Sequence, residues 1–160
     1  MKPLPPSHPL AGKRLWFCIM SEGCSSTLAA SFRSRGIDAQ VTPPSDDRTR
    51  ELGSRHSAGD ECYPFQVSLG DCFKVLEQPG VDPAKTAFFI REGCGPCRFG
   101  QYAPCFHHIF DSAGYASVAL FSTSDATAYA ELNAVGGSLL RTAFRGIVVS
   151  DILLKLLLQT

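Results

Sequence analysis

Short candidate strands alternate with segments of helical periodicity along this chain, and this alternation limits the folds that it can adopt. The candidate strands are residues 14–20, 37–41, 86–90 and 117–121, and three of the four are nearly continuous apolar runs. Such runs are typical of strands that are buried on both faces of a sheet. The pattern therefore predicts an α/β fold with three layers: a Rossmann-like, doubly wound and mostly parallel sheet of about four strands, with helices on both faces.

Cap and turn residues mark the predicted helices between these strands. Ser25 and Ser26 are candidate N-caps of the first helix, and Pro64 suits the first turn of a later one. Residues 122–137 are small and polar, which indicates a long loop or a pair of short elements. From Ser138 onward the apolar residues recur with helical spacing, and this wide apolar face predicts a helix that packs on the sheet.

Composition and charge narrow the function classes. The chain has 160 residues, of which 44% are apolar, and its 15 basic residues balance its 15 acidic ones. Because the sequence has no block of basic residues, it gives no electrostatic reason to expect nucleic acid or an anionic membrane surface as a partner. The most apolar segment, residues 147–158, is too short for a bilayer and carries Asp151 and Lys155, so no membrane span is expected.

The ends of the chain suggest its domain organisation. Residues 1–12 are rich in proline and lack the apolar stretch of a secretion signal, so they are expected to form a flexible lead-in to one domain over residues 13–160. The uncapped helix at the end suggests a fragment or one module of a longer protein. Seven cysteines without a secretion signal favour a reducing cytoplasm, with metal binding, redox chemistry or buried thiols.

Three of these cysteines lie where loops are expected to open into helices. Cys62 precedes one predicted helix, and Cys94 and Cys97 precede the next. Helix N-termini lower thiol pKa values and stabilise thiolate-bound iron, and nearby glycines would let backbone amides approach a cluster. With Cys24, which follows the first strand, these cysteines could converge on one edge of the sheet. This placement favours an iron–sulfur or redox site.

The remaining cysteines carry weaker signals. Cys18 and Cys72 are expected to be small core residues, because one falls within a predicted strand and the other on the inner face of a helix. The role of Cys105 stays open, as does that of Cys24.

Other readings of the cysteine pair remain open. Cys94-Gly-Pro-Cys97 has the letters of a thioredoxin active site, which would make the chain a thiol–disulfide oxidoreductase. The absence of any proline after Pro104 argues against that fold, which needs a later cis-proline. A zinc site made from the pair and His107 or His108, or a non-catalytic scaffold, is a further alternative. No phosphate-binding or dinucleotide-binding glycine motif is present, so any ATP would act elsewhere.

Three segments resemble a known family: residues 59–64 (GDECYP), 88–90 and 95–102 (GPCRFGQY). On these motifs the chain is similar to the CoA-substrate-specific enzyme activase family, which is related to 2-hydroxyacyl-CoA dehydratases. The similarity runs from about Gly12 to the end of the chain, including residues 28–40 and the final helix. The run from Gly95 to Tyr102 is its most specific part.

The resemblance implies a module of an oxygen-sensitive [4Fe–4S] protein of anaerobic metabolism. Such a module works with an ATP-dependent activator that supplies low-potential electrons, and an acyl-CoA is a possible substrate. Cys62 and Cys97 match the family's cysteines and are the implied iron ligands. Cys94 would be the third, although it stands where a small residue other than cysteine is expected. Arg98 and Tyr102 would not ligate iron themselves but would contact and orient the residues that do.

Overall fold

The computed structural model of the protein describes residues 8–93, 95–124, 126–136 and 138–159, so Cys94 and the first part of the predicted lead-in lie outside the described residues. A sheet of four parallel strands forms its centre, in the order β2-β1-β3-β4. The strands are β1 (Arg14–Phe17), β2 (Ala39–Val41), β3 (Thr86–Arg91) and β4 (Ala119–Thr123). The predicted α/β fold with a parallel sheet is confirmed.

In the part of the chain that the structure describes, six α-helices connect and cover the strands. They are α1 (Glu22–Arg33), α2 (Asp47–His56), α3 (Tyr63–Leu76), α4 (Tyr102–Ser112), α5 (Ala130–Val135) and α6 (Leu139–Leu158). Short 3₁₀ turns precede β3 and α4, at Pro83–Lys85 and Arg98–Gln101. The small, polar segment before α6 therefore holds one short helix, α5.

The two faces of the sheet carry separate hydrophobic clusters, because successive side chains of a strand point in opposite directions. Trp16 of β1 packs with Phe88 of β3 in a cluster that α2, α3 and α4 complete. Leu15 and Phe17 face the other way and pack with residues of α1, α5 and α6. Helices thus cover both faces, and the three-layer, Rossmann-like architecture that the sequence predicts is present.

The first turn after β1 differs from its prediction. Neither Ser25 nor Ser26 is the N-cap of α1; Ser21 is, and its hydroxyl accepts a hydrogen bond from the backbone N–H of Cys24. Ser25 donates instead to the carbonyl oxygen of Cys18 at 2.9 Å. Because β1 ends at Phe17, this carbonyl no longer belongs to the sheet ladder, and the Ser25 hydroxyl satisfies it.

Helices α2 and α3 pack so closely that there is no room for side chains at two crossing points. A Cβ atom on Gly70 of α3 would overlap the carbonyl oxygen of Thr49, and one on Gly53 of α2 would overlap the carbonyl oxygen of Gln66. Beside this crossing, the buried Asp71 carboxylate accepts hydrogen bonds from the hydroxyls of Ser45 (2.8 Å) and Thr49 (2.9 Å). The backbones of the two helices are therefore in direct contact at this crossing.

Helix α6 enters the core only in its first two turns. Leu139 and Ala143 are buried, and further along the helix Gly146 lies against Thr27 of α1 and Ser150 against Gly23. The prediction that α6 packs on the sheet is therefore wrong for most of its length, since α1 lies against β1 and β2 and α6 packs mainly on α1. The exposed large apolar residues of α6 are Leu140, Phe144, Val148, Val149, Ile152, Leu153, Leu154, Leu156, Leu157 and Leu158.

No helix in the described part of the chain is both long enough and apolar enough to span a membrane.

Candidate functional site

The topology leaves a crevice at the carboxyl edge of the sheet, between β1 and β3. The chain passes from β1 through α1 to β2 on one side, whereas β3 pairs with β1 on the other side and leads to α4. Since α1 and α4 cover opposite faces, the segments that follow β1 and β3 separate at this edge. Folds of this class bind their ligands at such a switch point. Cys18 follows β1 here, and Cys97 lies in the segment after β3.

Cys62 occupies the N-cap position of α3, one residue before its first turn. Its Sγ lies 2.9 Å from the hydroxyl oxygen of Tyr102, which reaches it from the first residue of α4. The Tyr102 hydroxyl, the backbone N–H of Phe65 and, to a smaller extent, the charge of Arg98 lower the pKa of the Cys62 thiol. All three effects favour the negatively charged sulfur. Cys62 is therefore an exposed thiol that is prepared to act as a thiolate.

Tyr102 is the residue that connects the thiols to the core. Only 3% of its surface is exposed, and its ring contacts Phe65, Phe99 and Phe106. Burial and the hydrogen bond to Cys62 raise the pKa of the Tyr102 hydroxyl, so this group stays protonated and donates a hydrogen bond to the ionised sulfur. A negative charge on Cys97 raises the same pKa. The hydroxyl of Tyr102 is thus subject to the charge of both Cys62 and Cys97.

The segment that carries Cys97 is held in place by two local contacts. Gly100 lies against the carbonyl group of Gly93, where a Cβ atom would overlap the oxygen, so the segment folds tightly back on itself. The guanidinium group of Arg98 donates a long hydrogen bond (3.4 Å) to the carbonyl oxygen of Asp60. This contact joins the segment after β3 to the segment before α3. Gly100 is therefore required for this fold of the backbone.

A cavity of about 410 Å³ opens beside these groups. Its charged residues include Arg98 at one side and two carboxylates from the segment before α3, whereas rings form much of its floor. The residues that line it are Asp60, Glu61, Cys62, Phe65, Arg98, Gln101, Tyr102 and Cys105. Cys105 is exposed and lies one turn after Tyr102 on α4, so its sulfur borders the same space as that of Cys62, whereas Cys97 is not among the residues that line this cavity.

Not all of the predicted site residues meet here. Cys94 lies outside the described residues. Cys24 is placed apart from the cavity, and burial together with the Asp151 carboxylate of α6 raises the pKa of its thiol. His107 pairs with Asp111 at 3.1 Å on the exposed side of α4. Within the described ranges, no three side chains of His, Cys, Asp or Glu are placed to hold one metal ion.

Sequence reasoning missed several parts of the site. Phe65 and Gln101 line the cavity, and Phe106 supports the ring of Tyr102. The position of Cys105 could have been predicted from the sequence, because a residue three positions after Tyr102 on a helix lies on the same face as Tyr102. No sequence pattern pairs Cys62 with Tyr102, since they are 40 residues apart and meet only through the packing of α3 on α4.

Comparisons with known proteins assign no function to this site. No family model, no curated protein and no solved structure matches this chain.

The contact between Cys62 and Tyr102 predicts the reactivity of the thiol. In Tyr102→Phe, the rate of Cys62 alkylation by iodoacetamide at pH 7 should fall several-fold, and its pH midpoint should rise toward the value of an unperturbed thiol, about 8.5. The reason is that the variant loses the largest of the interactions that lower the pKa of Cys62. Peptide mass spectrometry at several pH values measures the rate at Cys62 alone.

Tyr63→Phe is the matched control for this measurement, because it removes a hydroxyl from the exposed residue next to Cys62. Its profile should match that of the wild type. A Tyr102→Phe profile identical to both would show that the hydroxyl does not stabilise the thiolate.

Proposed function

We propose that the protein is an iron–sulfur electron-transfer module in which Cys62 and Cys97 ligate iron. One observation supports this most directly: Arg98, the residue after Cys97, is hydrogen-bonded to the carbonyl oxygen of Asp60, two residues before Cys62, so the segments of both cysteines are in contact. Iron–sulfur clusters bind thiolates, and the pKa of Cys62 is already lowered by its neighbours. The resemblance to the activase and dehydratase family supports the same two ligands.

The donor chemistry fits a cluster, while the described residues hold only part of its ligand set. A [4Fe–4S] cluster takes four ligands, usually thiolates. Cys62 and Cys97 are two of them, and Cys94 is the proposed third. The fourth comes from Cys105, at the border of the same cavity, or from another polypeptide. When bound, the cluster would supply one-electron chemistry at low potential.

Arg98 and Tyr102 are proposed to tune this centre. Tyr102 donates a hydrogen bond to the sulfur of Cys62, which orients the ligand and removes electron density from it. The positive charge of Arg98 offsets part of the negative charge that four thiolates add to a cluster. Both groups therefore make reduction easier than it would be in their absence.

The proposed electron donor and reaction are those that the same family resemblance implies. Electrons would come from an ATP-dependent activator protein or domain, and the reaction served would be the dehydration of a 2-hydroxyacyl-CoA in an anaerobic cytoplasm.

Anaerobic reconstitution with ferrous iron and sulfide tests the proposal. The wild type should bind both and show the broad visible absorbance of a cluster, with an electron paramagnetic resonance signal after reduction. Cys62→Ser and Cys97→Ser should each lower the bound iron by about tenfold or more. Cys24→Ser is the matched control, since this thiol lies apart from the cavity, and it should retain full iron content.

Two results would contradict the proposal. One is a wild-type protein that binds neither iron nor sulfide, and the other is an unchanged cluster in both Cys62→Ser and Cys97→Ser. Zinc without sulfide in protein purified without oxygen would instead indicate a structural metal site and a scaffold function.

A second candidate function is thiol–disulfide exchange through Cys94 and Cys97. It is favoured by the exposure of Cys97, which a partner's disulfide could reach directly. This function requires a reversible two-electron couple in metal-free protein. A redox titration with dithiothreitol, read by maleimide trapping of the peptide of residues 92–98, measures the couple of Cys94 and Cys97 alone. Reversible oxidation of Cys97 with the same midpoint in Cys94→Ser would exclude this candidate.

A further inference from the structure

A second pair of cysteines lies close together, away from the cavity of Cys62. The Sγ atoms of Cys18 and Cys72 are 3.7 Å apart, although 54 positions separate the residues in the chain. Cys18 follows the last residue of β1, and Cys72 lies in the third turn of α3. A disulfide bond needs about 2.05 Å between the sulfurs, so a small movement of the two side chains would suffice.

The two sulfurs differ in their access to solvent. Cys18 is partly exposed, because β1 ends at Phe17 and the chain leaves the sheet at this point. Cys72 has no exposed surface. Its neighbours are Cys18 and the core of the α2, α3 and α4 side, so no dissolved oxidant reaches it directly. An oxidant would therefore react first at Cys18, and Cys72 would be the partner that completes a disulfide.

Among the residues that the structure describes, no sulfur other than that of Cys72 is hydrogen-bonded to the Cys18 thiol. Besides the sulfur of Cys72, the hydrogen-bond neighbour of the Cys18 sulfur is the carbonyl oxygen of Ser68, at 3.6 Å, which cannot form a covalent bond with it. Ser68 lies one helical turn before Cys72 on α3, so both contacts hold the Cys18 side chain against the same face of that helix. The position of the thiol is thus set before any oxidation occurs.

We propose that Cys18 and Cys72 are a redox modification site that forms a reversible disulfide with a peroxide as oxidant. The Cys18 thiol gives up its proton as its sulfur attacks one oxygen of hydrogen peroxide, the O–O bond breaks, and the leaving hydroxide takes up that proton, so that Cys18 sulfenic acid and one water form. The Cys72 sulfur then attacks the sulfenic sulfur. The S–S bond forms, the S–O bond breaks, and the thiol proton of Cys72 leaves with the hydroxide as a second water. Two thiols are oxidised by two electrons, and one peroxide is reduced to two waters.

The disulfide would connect the end of β1 to α3, the helix that begins next to Cys62. It would therefore tie the sheet's carboxyl edge to the element that carries the thiolate, without consuming that thiolate. This modification is independent of the proposed iron–sulfur function, because neither Cys18 nor Cys72 is one of the proposed iron ligands.

Peptide mapping of the full chain tests the proposal. In a Cys24→Ser/Cys62→Ser variant, cleavage after Lys and Arg releases Cys18 and Cys72 as the single cysteines of residues 15–33 and 56–74. After treatment with hydrogen peroxide and trapping of free thiols with maleimide, these two peptides should appear joined and lighter by two hydrogen atoms. Dithiothreitol should separate them again.

The rate at which the disulfide between Cys18 and Cys72 forms distinguishes a site that the fold creates from chance oxidation of two thiols. In the folded protein the joined peptide should form about tenfold or more faster than in 8 M urea (about that concentration unfolds most domains), because the fold holds the sulfurs in contact. Cys105→Ser, which removes an exposed thiol elsewhere, should leave the rate unchanged. A joined peptide that is absent from the folded protein, or that forms equally fast in urea, would overturn the proposal.

Discussion

Replacing Phe106 with alanine is expected to lower the free energy of unfolding by about 3–5 kcal/mol, the usual cost of removing a fully buried aromatic ring. Phe106 has no exposed surface and contacts the rings of Phe65, Tyr102 and Phe110, with centroids 5.1, 5.9 and 6.1 Å away. Its removal leaves a cavity at the centre of this group. Urea unfolding followed by fluorescence or circular dichroism measures the change.

The same variant should disturb the thiol site. Phe106 stacks on Tyr102, whose hydroxyl holds the Cys62 thiolate, so a loosened ring should slow the alkylation of Cys62. Phe144→Ala is the matched control, because this ring on α6 is 65% exposed. Its free energy of unfolding should stay within about 0.5 kcal/mol of the wild type. Equal effects of the two substitutions would show that Phe106 does not occupy the core.

Gly70→Ala is expected to lower the free energy of unfolding by about 2 kcal/mol or more. The added methyl group would overlap the carbonyl oxygen of Thr49 and crowd the backbone nitrogen of Gly53, and neither atom can move without shifting α2. Alanine favours a helix over glycine by about 1 kcal/mol, which offsets only part of this cost. Chemical denaturation measures the difference.

Gly95→Ala controls for the methyl group itself. Apart from its chain neighbours, no atom of the described residues lies within 4 Å of the position where a Cβ atom would stand at Gly95, so this substitution should change stability by less than about 0.5 kcal/mol. If Gly70→Ala were as stable as Gly95→Ala, α2 and α3 would not cross as closely as the structure indicates.

The layers of the fold could be predicted because they follow from local patterns. Residues 86–90 and 14–17 consist largely of apolar side chains, and burial on both faces of a parallel sheet is the arrangement that accommodates them. Pro64 was correctly placed in the first turn of α3. The N-cap of α1 was not correctly predicted, because Ser21 and Ser25 carry the same side chain and are equally good candidates. The choice between them depends on where β1 ends.

The candidate site could be predicted only in part, since its contacts join distant segments. The placement of Cys62 and Cys97 next to helices was visible from proline, glycine and apolar spacing. The hydrogen bond that lowers the pKa of Cys62 comes from Tyr102, and its direction depends on how α3 packs against α4. The pairing of Cys18 with Cys72 was hidden for the same reason, since each by itself resembles an ordinary core residue.

The central position of β1 in the sheet has a consequence for folding during synthesis. Leu15 of β1 lies between Ala39 of β2 and Ala87 of β3. On one of its two sides, β1 can therefore form its backbone hydrogen bonds only after β3, which leaves the ribosome much later, has been made. Neither hydrophobic cluster can be completed from the N-terminal half alone. Because such long-range pairing slows folding, the nascent chain must carry its early apolar residues unburied until β3 has been made.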